Sequence, residues 1–168
     1  MPGPSSDRTS SAPSTCASAR STWMPGPPKL LLYAIGAMAV LALLLPGPAV
    51  GHPAFRLLGL IPLGAGIALN LLADRAFRLE GTTVKPLLPS TALVTDGVFR
   101  LTRNPMYLGL VLLLVGLWLA LGALTPGLIV VLFAVLIDRY FIEPEEEKLF
   151  GTFGHAYRTY QDRVRRWI

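Results

Sequence analysis

Residues 106–137 read MYLGLVLLLVGLWLALGALTPGLIVVLFAVLI, a run of 32 residues without a charged side chain. A bilayer core of about 30 Å needs roughly 20 helical residues, and the backbone groups inside it must bond to one another. One helix of this length would extend about 48 Å, which is too long for a single crossing. Because Thr125, Pro126 and Gly127 form a turn sequence within the run, it predicts a helical hairpin.

Two further stretches, Leu30–Gly51 and Leu57–Ala73, also lack charged residues. The composition agrees, since 52% of the 168 residues are hydrophobic and only 15% are charged, too few polar groups to cover a soluble protein of this size. The sequence therefore predicts an all-α polytopic membrane protein with about four transmembrane helices. We place these spans at about 30–46, 55–73, 106–123 and 127–142.

The net charge of +5 is explained by where the basic residues lie relative to the predicted spans. Lysine and arginine precede the first span, occupy the segment between the second and third, and close or follow the fourth, whereas only Arg56 lies on the other side. Cytoplasmic segments of membrane proteins carry such an excess. We expect a protein of the cell inner membrane with both termini and any active site in the cytoplasm, and no nucleic-acid partner.

Three segments follow from this pattern. Residues 1–28 are rich in Ser, Pro, Thr and Gly and predict a disordered tail. Residues 29–74 predict a transmembrane hairpin, and residues 75–168 contain a polar loop, the last two spans and a C-terminal segment.

One cysteine and two histidines limit the chemistry of the chain. Cys16 stands alone, so no internal disulfide or cysteine-based metal site is predicted. His52 and His155 fall on opposite predicted sides of the membrane. We therefore expect no metal.

Glycines in the second span suggest how it packs. Gly59, Gly64 and Gly66 allow close approach of a neighbouring helix, which is a packing role more often than a functional one.

Two polar segments flank the last two spans. Asp74–Pro105 is too long for a simple connector, and its apolar pairs predict a segment packed along the membrane surface. In Glu143–Ile168, apolar residues recur at steps of three and four, which predicts a C-terminal amphipathic cytoplasmic helix bent near Gly151 and Gly154.

The first candidate constellation is GVFRLTRNPMYLG at residues 97–109. Asn104 is a good N-cap, and Pro105 suits the first turn of a helix. The exposed N–H groups there favour a carboxylate, Arg103 adds a cation, and Gly109 leaves room for a flat ligand. The alternative is a capped helix start whose Arg103 and Tyr107 only anchor the span at the interface.

The second constellation is RYFIEPEEEKL at residues 139–149, with four carboxylates within five residues. Such a cluster beside a membrane needs solvent or matching cations. Glu145 and Glu146 could meet Arg139, Arg103 or a cationic ligand. The alternative is a solvated first turn, where glutamate is favoured in any case.

Together these motifs resemble the isoprenylcysteine carboxyl methyltransferase family and its relatives among the phospholipid methyltransferases. The first motif of that family corresponds to Arg103, Asn104, Pro105, Tyr107 and Gly109. Its later motif corresponds to Glu145, Glu146, Leu149, Phe153, Gly154, Tyr157, Tyr160, Val164 and Arg166. The resemblance covers roughly residues 75–168 and rests on two separated motifs in the same order.

The resemblance implies an enzyme that uses S-adenosylmethionine, held at the cytoplasmic ends of the last two spans, with a lipid-like or amphipathic acceptor entering from the bilayer. It implies a catalytic role for Arg139, with Glu145 or Glu146, in orienting the acceptor. It implies cofactor-binding roles for Arg103, Asn104, Pro105, Tyr107, Leu108, Gly109, Tyr157 and Tyr160.

One departure from the family matters for the chemistry. Asn104 replaces the histidine of the better-known eukaryotic enzymes, and an amide cannot titrate near neutral pH. The acceptor stays open between the carboxylate of an isoprenylcysteine-like compound and the amino headgroup of a phospholipid such as phosphatidylethanolamine. A non-catalytic membrane scaffold is the alternative from another class.

Overall fold

The computed structural model describes residues 25–51, 54–79 and 93–168. The predicted disordered tail up to residue 24, with Cys16, lies outside the described residues, as do His52 and residues 80–92 of the predicted surface segment. Predictions for those positions stay predictions.

Helices make up the fold throughout the described ranges, which confirms the all-α prediction. They are α1 (Pro27–Leu44), α2 (Phe55–Leu58), α3 (Leu60–Leu79), a 3-10 helix (Gly97–Arg100), α4 (Pro105–Leu121), α5 (Gly127–Ile137), a π-helix (Asp138–Ile142), α6 (Glu143–Phe153) and α7 (His155–Arg163).

Two stretches of the described chain are long and apolar enough to cross a membrane, Pro27–Leu44 and Phe55–Leu79. Only 17% and 11% of their apolar windows are buried, so neither is the core helix of a soluble protein. With 17 residues, α4 is slightly shorter. The chain is a membrane protein, and the arrangement in four spans stays a prediction.

Helix α3 extends beyond the predicted end of the second span. The sequence places Asp74 and the residues after it in a surface loop, but the helix continues to Leu79. Arg78 Nε donates to Asp74 Oδ2 at 2.8 Å, an i,i+4 pair that supports a solvated helical turn. The loop prediction was therefore wrong for residues 74–79, because polar residues can carry a helix out of a bilayer without ending it.

Helix α4 contacts α3 and the residue just before it at glycines. A Cβ added to Gly66 would lie 2.6 Å from the carbonyl oxygen of Gly109, and one added to Gly59 would lie 2.5 Å from that of Gly116. Gly64 has no neighbouring atom within 4 Å. The predicted close packing is confirmed at Gly59 and Gly66 and was wrong at Gly64, which faces away from α4.

The predicted hairpin break in the long apolar run is present. Helix α4 ends before Gly122, whose φ of 66° is left-handed, and α5 begins at Gly127. Val50 N donates to Gly122 O at 2.9 Å and Leu124 N to Pro48 O at 3.1 Å. These bonds join this turn to the loop that follows α1.

The predicted end of the fourth span at residue 142 is not a break in the helix. Helix α5 continues through the π-helix into α6, with Glu143 N–H bonded to Asp138 O. A proline ring crowds the carbonyl four residues before it, and the wider π turn lies directly ahead of Pro144, where it relieves this crowding.

The C-terminal region turns at Gly154, which has φ 51°, and α7 follows. Gly151 lies inside α6, so the predicted bend occurs at one of its two expected positions. Tyr157 and Tyr160 of α7 are buried against Ala73 of α3 and Phe99 of the 3-10 helix. Phe99 of the segment that follows α3 packs between α3 and α7, and the expected position of this segment along the membrane surface stays a prediction.

Candidate active site

A C-terminal strap, residues 164–168, crosses the start of helix α4. Arg103 N donates to Arg165 O at 3.0 Å, Thr102 Oγ1 to Arg166 O at 3.0 Å, and Asn104 Nδ2 to Arg166 O at 3.3 Å. Thr102 and Asn104 are buried. These bonds bring the end of the chain onto the first predicted constellation.

Asn104 holds the N-cap position of α4, but its side chain makes no capping bond. The capping prediction was wrong in this respect, and Asn104 Nδ2 donates to Arg166 O of the strap. Pro105 occupies the first turn as predicted, and Leu108 N donates to Asn104 O at 3.0 Å to open the helix.

A hydrogen bond joins the two predicted constellations. Tyr107 Oη donates to Glu145 Oε2 at 2.9 Å, across 38 positions of sequence. Tyr107 is buried, and its ring centroid lies 6.5 Å from that of Phe141. The start of α4 and the start of α6 thus form one site.

Glu146 lies between two arginines. Its Oε2 accepts from Arg166 Nη2 at 2.8 Å, and its Oε1 lies 3.4 Å from Arg103 Nη1. The Glu146 side chain is 9% exposed and that of Arg103 is 13% exposed. The ion pair with Arg103 is too long and misaligned to be a hydrogen bond, so Arg103 Nε and Nη1 and Glu146 Oε1 are buried without a hydrogen-bond partner.

Arg139 does not join this group. Its side chain is 66% exposed and its Nη1 lies 2.8 Å from Glu143 Oε1. Arg139 therefore does not contact Glu145 or Glu146, because it lies one turn before Glu143 while Glu146 faces α4. Its expected role in orienting an acceptor stays a prediction. Glu147 is exposed, as the alternative of a solvated helix start predicts.

Gly109 faces helix α3. A Cβ added there would collide with the side-chain amide of Asn70 and lie 2.9 Å from Gly66 O. The space expected for a flat ligand is therefore occupied by α3, and close helix packing accounts for the glycine.

Tyr157 and Tyr160 form the wall opposite α4. Tyr160 Oη donates to Phe99 O at 2.6 Å, and the two tyrosine ring centroids are 6.2 Å apart. Burial raises the pKa of the Tyr157 phenol to about 12, and the charge of Glu146 adds to this while Arg103 opposes it. Tyr157 is therefore neutral at physiological pH and lies in the field of both charged groups.

Tyr160 also borders a surface groove of about 580 Å³. The groove lies between α7 and the segment that begins at Leu93, and Thr95, Arg100 and Thr159 also line it.

The sequence interpretation missed the part played by Asp138, Arg166 and Trp167. Arg166 Nη1 lies 3.3 Å from Asp138 Oδ2, and Trp167 Nε1 donates to Asp138 Oδ1 at 3.2 Å. An aspartate beside the apolar end of a helix is a signal of function. The family motif includes Arg166, but sequence spacing alone does not reveal its pairing with Asp138.

Burial raises the pKa of the Glu145 carboxyl above its ordinary value, although the hydrogen bond from Tyr107 and the charge of Lys148 oppose this. A raised pKa in the folded state stabilises the protein fully below the unfolded-state pKa, and this contribution is lost as the pH rises through the folded-state pKa. We expect Glu145→Gln, which resembles the protonated acid, to raise Tm at pH 7 but not at about pH 4.

This comparison has a matched control. Glu147→Gln removes an exposed carboxylate from the same helix and should leave Tm unchanged at both pH values. An equal Tm change for Glu145→Gln at both pH values would contradict the assignment.

Comparisons with known proteins give a family match that extends over most of the described helices. A family model described as phospholipid methyltransferase matches residues 55–156, which is more than half of the chain and includes α2–α6. An uncharacterized protein of Haemophilus influenzae is 41% identical over 63 residues, which is 38% of this chain and the full length of that protein. No solved structure matches the chain.

Proposed function

Because the chain belongs to the phospholipid methyltransferase family, we propose that it transfers a methyl group from S-adenosylmethionine to a lipid-like or amphipathic acceptor. The observation that carries this proposal is the hydrogen bond between Tyr107 and Glu145. It joins two motifs, each at the start of a helix. Beside it lie Arg103 and Glu146, which have buried polar atoms without a hydrogen-bond partner.

The residues of the site fit the donor. S-adenosylmethionine has a carboxylate, an ammonium and a sulfonium group. The unpartnered Nε and Nη1 of Arg103 suit a carboxylate, and the unpartnered Oε1 of Glu146 suits a cation. Buried groups of this kind are costly unless a ligand completes their bonds, which supports donor binding here.

When bound, S-adenosylmethionine supplies an electrophilic methyl group. The residues of the chain need not form a covalent bond for such a transfer, and their tasks are to orient and to exclude water. In the proposal Arg103 and Glu146 orient the donor, while Tyr157 and Tyr160 shield it. Asn104 holds the strap, and Pro105 and Leu108 shape the start of α4.

Two classes of acceptor are candidates, a carboxylate and an amine. A carboxylate acceptor needs a free cation, but Arg139 is exposed and paired with Glu143. An amine acceptor needs a carboxylate that can take its proton, and Glu145 is a partly buried acid with a raised pKa. This supports an amino headgroup such as that of phosphatidylethanolamine as the second candidate beside an isoprenylcysteine-like carboxylate.

The predicted topology completes the proposal. Four spans would place α7, the strap and the termini in the cytoplasm, with residues 29–74 as a first hairpin and 75–168 as the methyltransferase core. The exposed apolar faces of α1 and α3 support contact with the lipid bilayer.

The test is a methyl-transfer assay on the purified full-length chain in mixed micelles with methyl-labelled S-adenosylmethionine. One arm contains phosphatidylethanolamine, another a farnesylated cysteine with a free carboxylate, and a third no acceptor. Label in the first arm supports the amine acceptor and label in the second the carboxylate. No binding of the donor at millimolar concentration would favour a non-catalytic scaffold.

We expect Tyr107→Phe to lower kcat/KM about tenfold, because it removes a buried hydrogen bond to a carboxylate. Tyr33→Phe is the control, since Tyr33 lies on α1 and is 65% exposed. Equal effects of the two substitutions in the same assay would count against the site.

A further inference from the structure

One guanidinium connects the strap to the α5–α6 segment. Arg166 Nη2 lies 2.8 Å from Glu146 Oε2, and its Nη1 lies 3.3 Å from Asp138 Oδ2 and 3.8 Å from Glu143 Oε1. Trp167 Nε1 donates to Asp138 Oδ1. Asp138 therefore holds two consecutive residues of the strap.

The π-helix makes this sharing possible. In a regular α-helix, side chains five positions apart point about 140° away from each other. The i→i+5 bond from Glu143 N–H to Asp138 O marks a wider turn, which brings these two positions onto nearly the same face. Asp138 and Glu143 can then meet the same arginine.

The charges of this group cancel. Arg103 and Arg166 supply two positive charges, and Glu146 and Asp138 supply two negative charges. Arg139 and Glu143 form a further pair without net charge, and the side chain of Arg139 is exposed. Without Asp138, two arginines would compete for Glu146, and the site would repel a cation.

We infer that Asp138 is a positioning residue for the donor site, an inference that rests on the proposed function. It neutralises Arg166 and fixes the guanidinium, so that Arg166 binds Oε2 of Glu146 and leaves Oε1, which lies 3.4 Å from Arg103 Nη1, without a hydrogen-bond partner. The negative charge of Glu146 is then available to a cationic ligand. Asp138 itself does not touch the donor.

The inference predicts discrimination between donor and product. S-adenosylmethionine carries a sulfonium charge, whereas S-adenosylhomocysteine lacks the sulfur-bound methyl group and has a neutral thioether. Asp138→Asn keeps the volume of the side chain and removes its charge. We expect it to raise the Kd of S-adenosylmethionine about tenfold and that of S-adenosylhomocysteine less than about threefold.

The experiment is a calorimetric titration of both compounds into the full-length protein in detergent, with Tm measured for every variant. Arg166→Gln is the second variant, because it removes the opposing charge and should shift the preference toward S-adenosylmethionine. Arg158→Gln is the control, since Arg158 is an exposed cation of α7, and it should change neither Kd.

The outcomes separate the inference from its premise. A shift of preference in opposite directions for Asp138→Asn and Arg166→Gln supports the positioning role. Equal weakening of both ligands by Asp138→Asn, or shifts in the same direction for both variants, would overturn it while leaving donor binding intact. If the unmodified chain binds neither compound, the proposed function fails and the positioning role fails with it.

Discussion

Glu146→Gln is expected to weaken binding of S-adenosylmethionine about a hundredfold, the size typical of removing one member of a buried charge pair. Glu146 is the carboxylate that both Arg103 and Arg166 contact. Its neutral amide would leave Arg103 without a carboxylate partner among the described residues and would no longer attract a cation. Calorimetric titration of the donor measures the effect.

The same substitution should also lower the free energy of unfolding by about 3 kcal/mol, because breaking a buried ion pair leaves an uncompensated charge. Glu147→Gln provides the matched control, one position along the same helix and exposed. Denaturant unfolding in mixed micelles measures the stability. A donor affinity for Glu146→Gln as high as that for Glu147→Gln would remove Glu146 from the site.

Gly66→Ala is expected to lower the free energy of unfolding by about 3 kcal/mol. The added Cβ would lie 2.6 Å from Gly109 O and 2.9 Å from Leu113 N. Both are backbone atoms of α4, which cannot move aside as the end of a flexible side chain can. The two helices must separate, and Tyr107 lies on the shifted part of α4.

Gly64→Ala tests whether the loss of stability in Gly66→Ala arises from the contact between α3 and α4. Gly64 lies on the same helix with no atom within 4 Å of the added Cβ, so its substitution should leave Tm unchanged or raise it slightly through helix propensity. We expect Gly66→Ala to lower both Tm and methyl transfer. Similar Tm values for the two variants would show that α3 and α4 do not pack as described.

Much of the site could be predicted from residue types alone. Pro105 opens α4 because its ring suits a first turn, and the two motifs lie at helix starts that the apolar runs define. Arg103, Tyr107, Glu145 and Glu146 were selected as polar groups at the edge of long apolar segments. The structure brings these four together.

The errors share a physical cause. Arg139 was preferred because it lies near Glu145 and Glu146 in sequence, yet direction around a helix decides which side chains meet. Gly109 suggested room for a ligand, but the absence of a side chain serves the approach of α3. Sequence spacing also did not reveal the π turn at Asp138, which changes the directions in which the side chains before and after it point.

The sequence by itself determined the helical class, the membrane solvent and the position of the hairpin turn, since uncharged runs and turn residues act locally. Only the tertiary structure decided that Arg166 reaches Glu146 and Asp138, and that Asn104 holds the strap rather than capping its helix. Such contacts depend on how several helices and the chain end pack together. No local pattern encodes the direction in which a side chain points after that packing is complete.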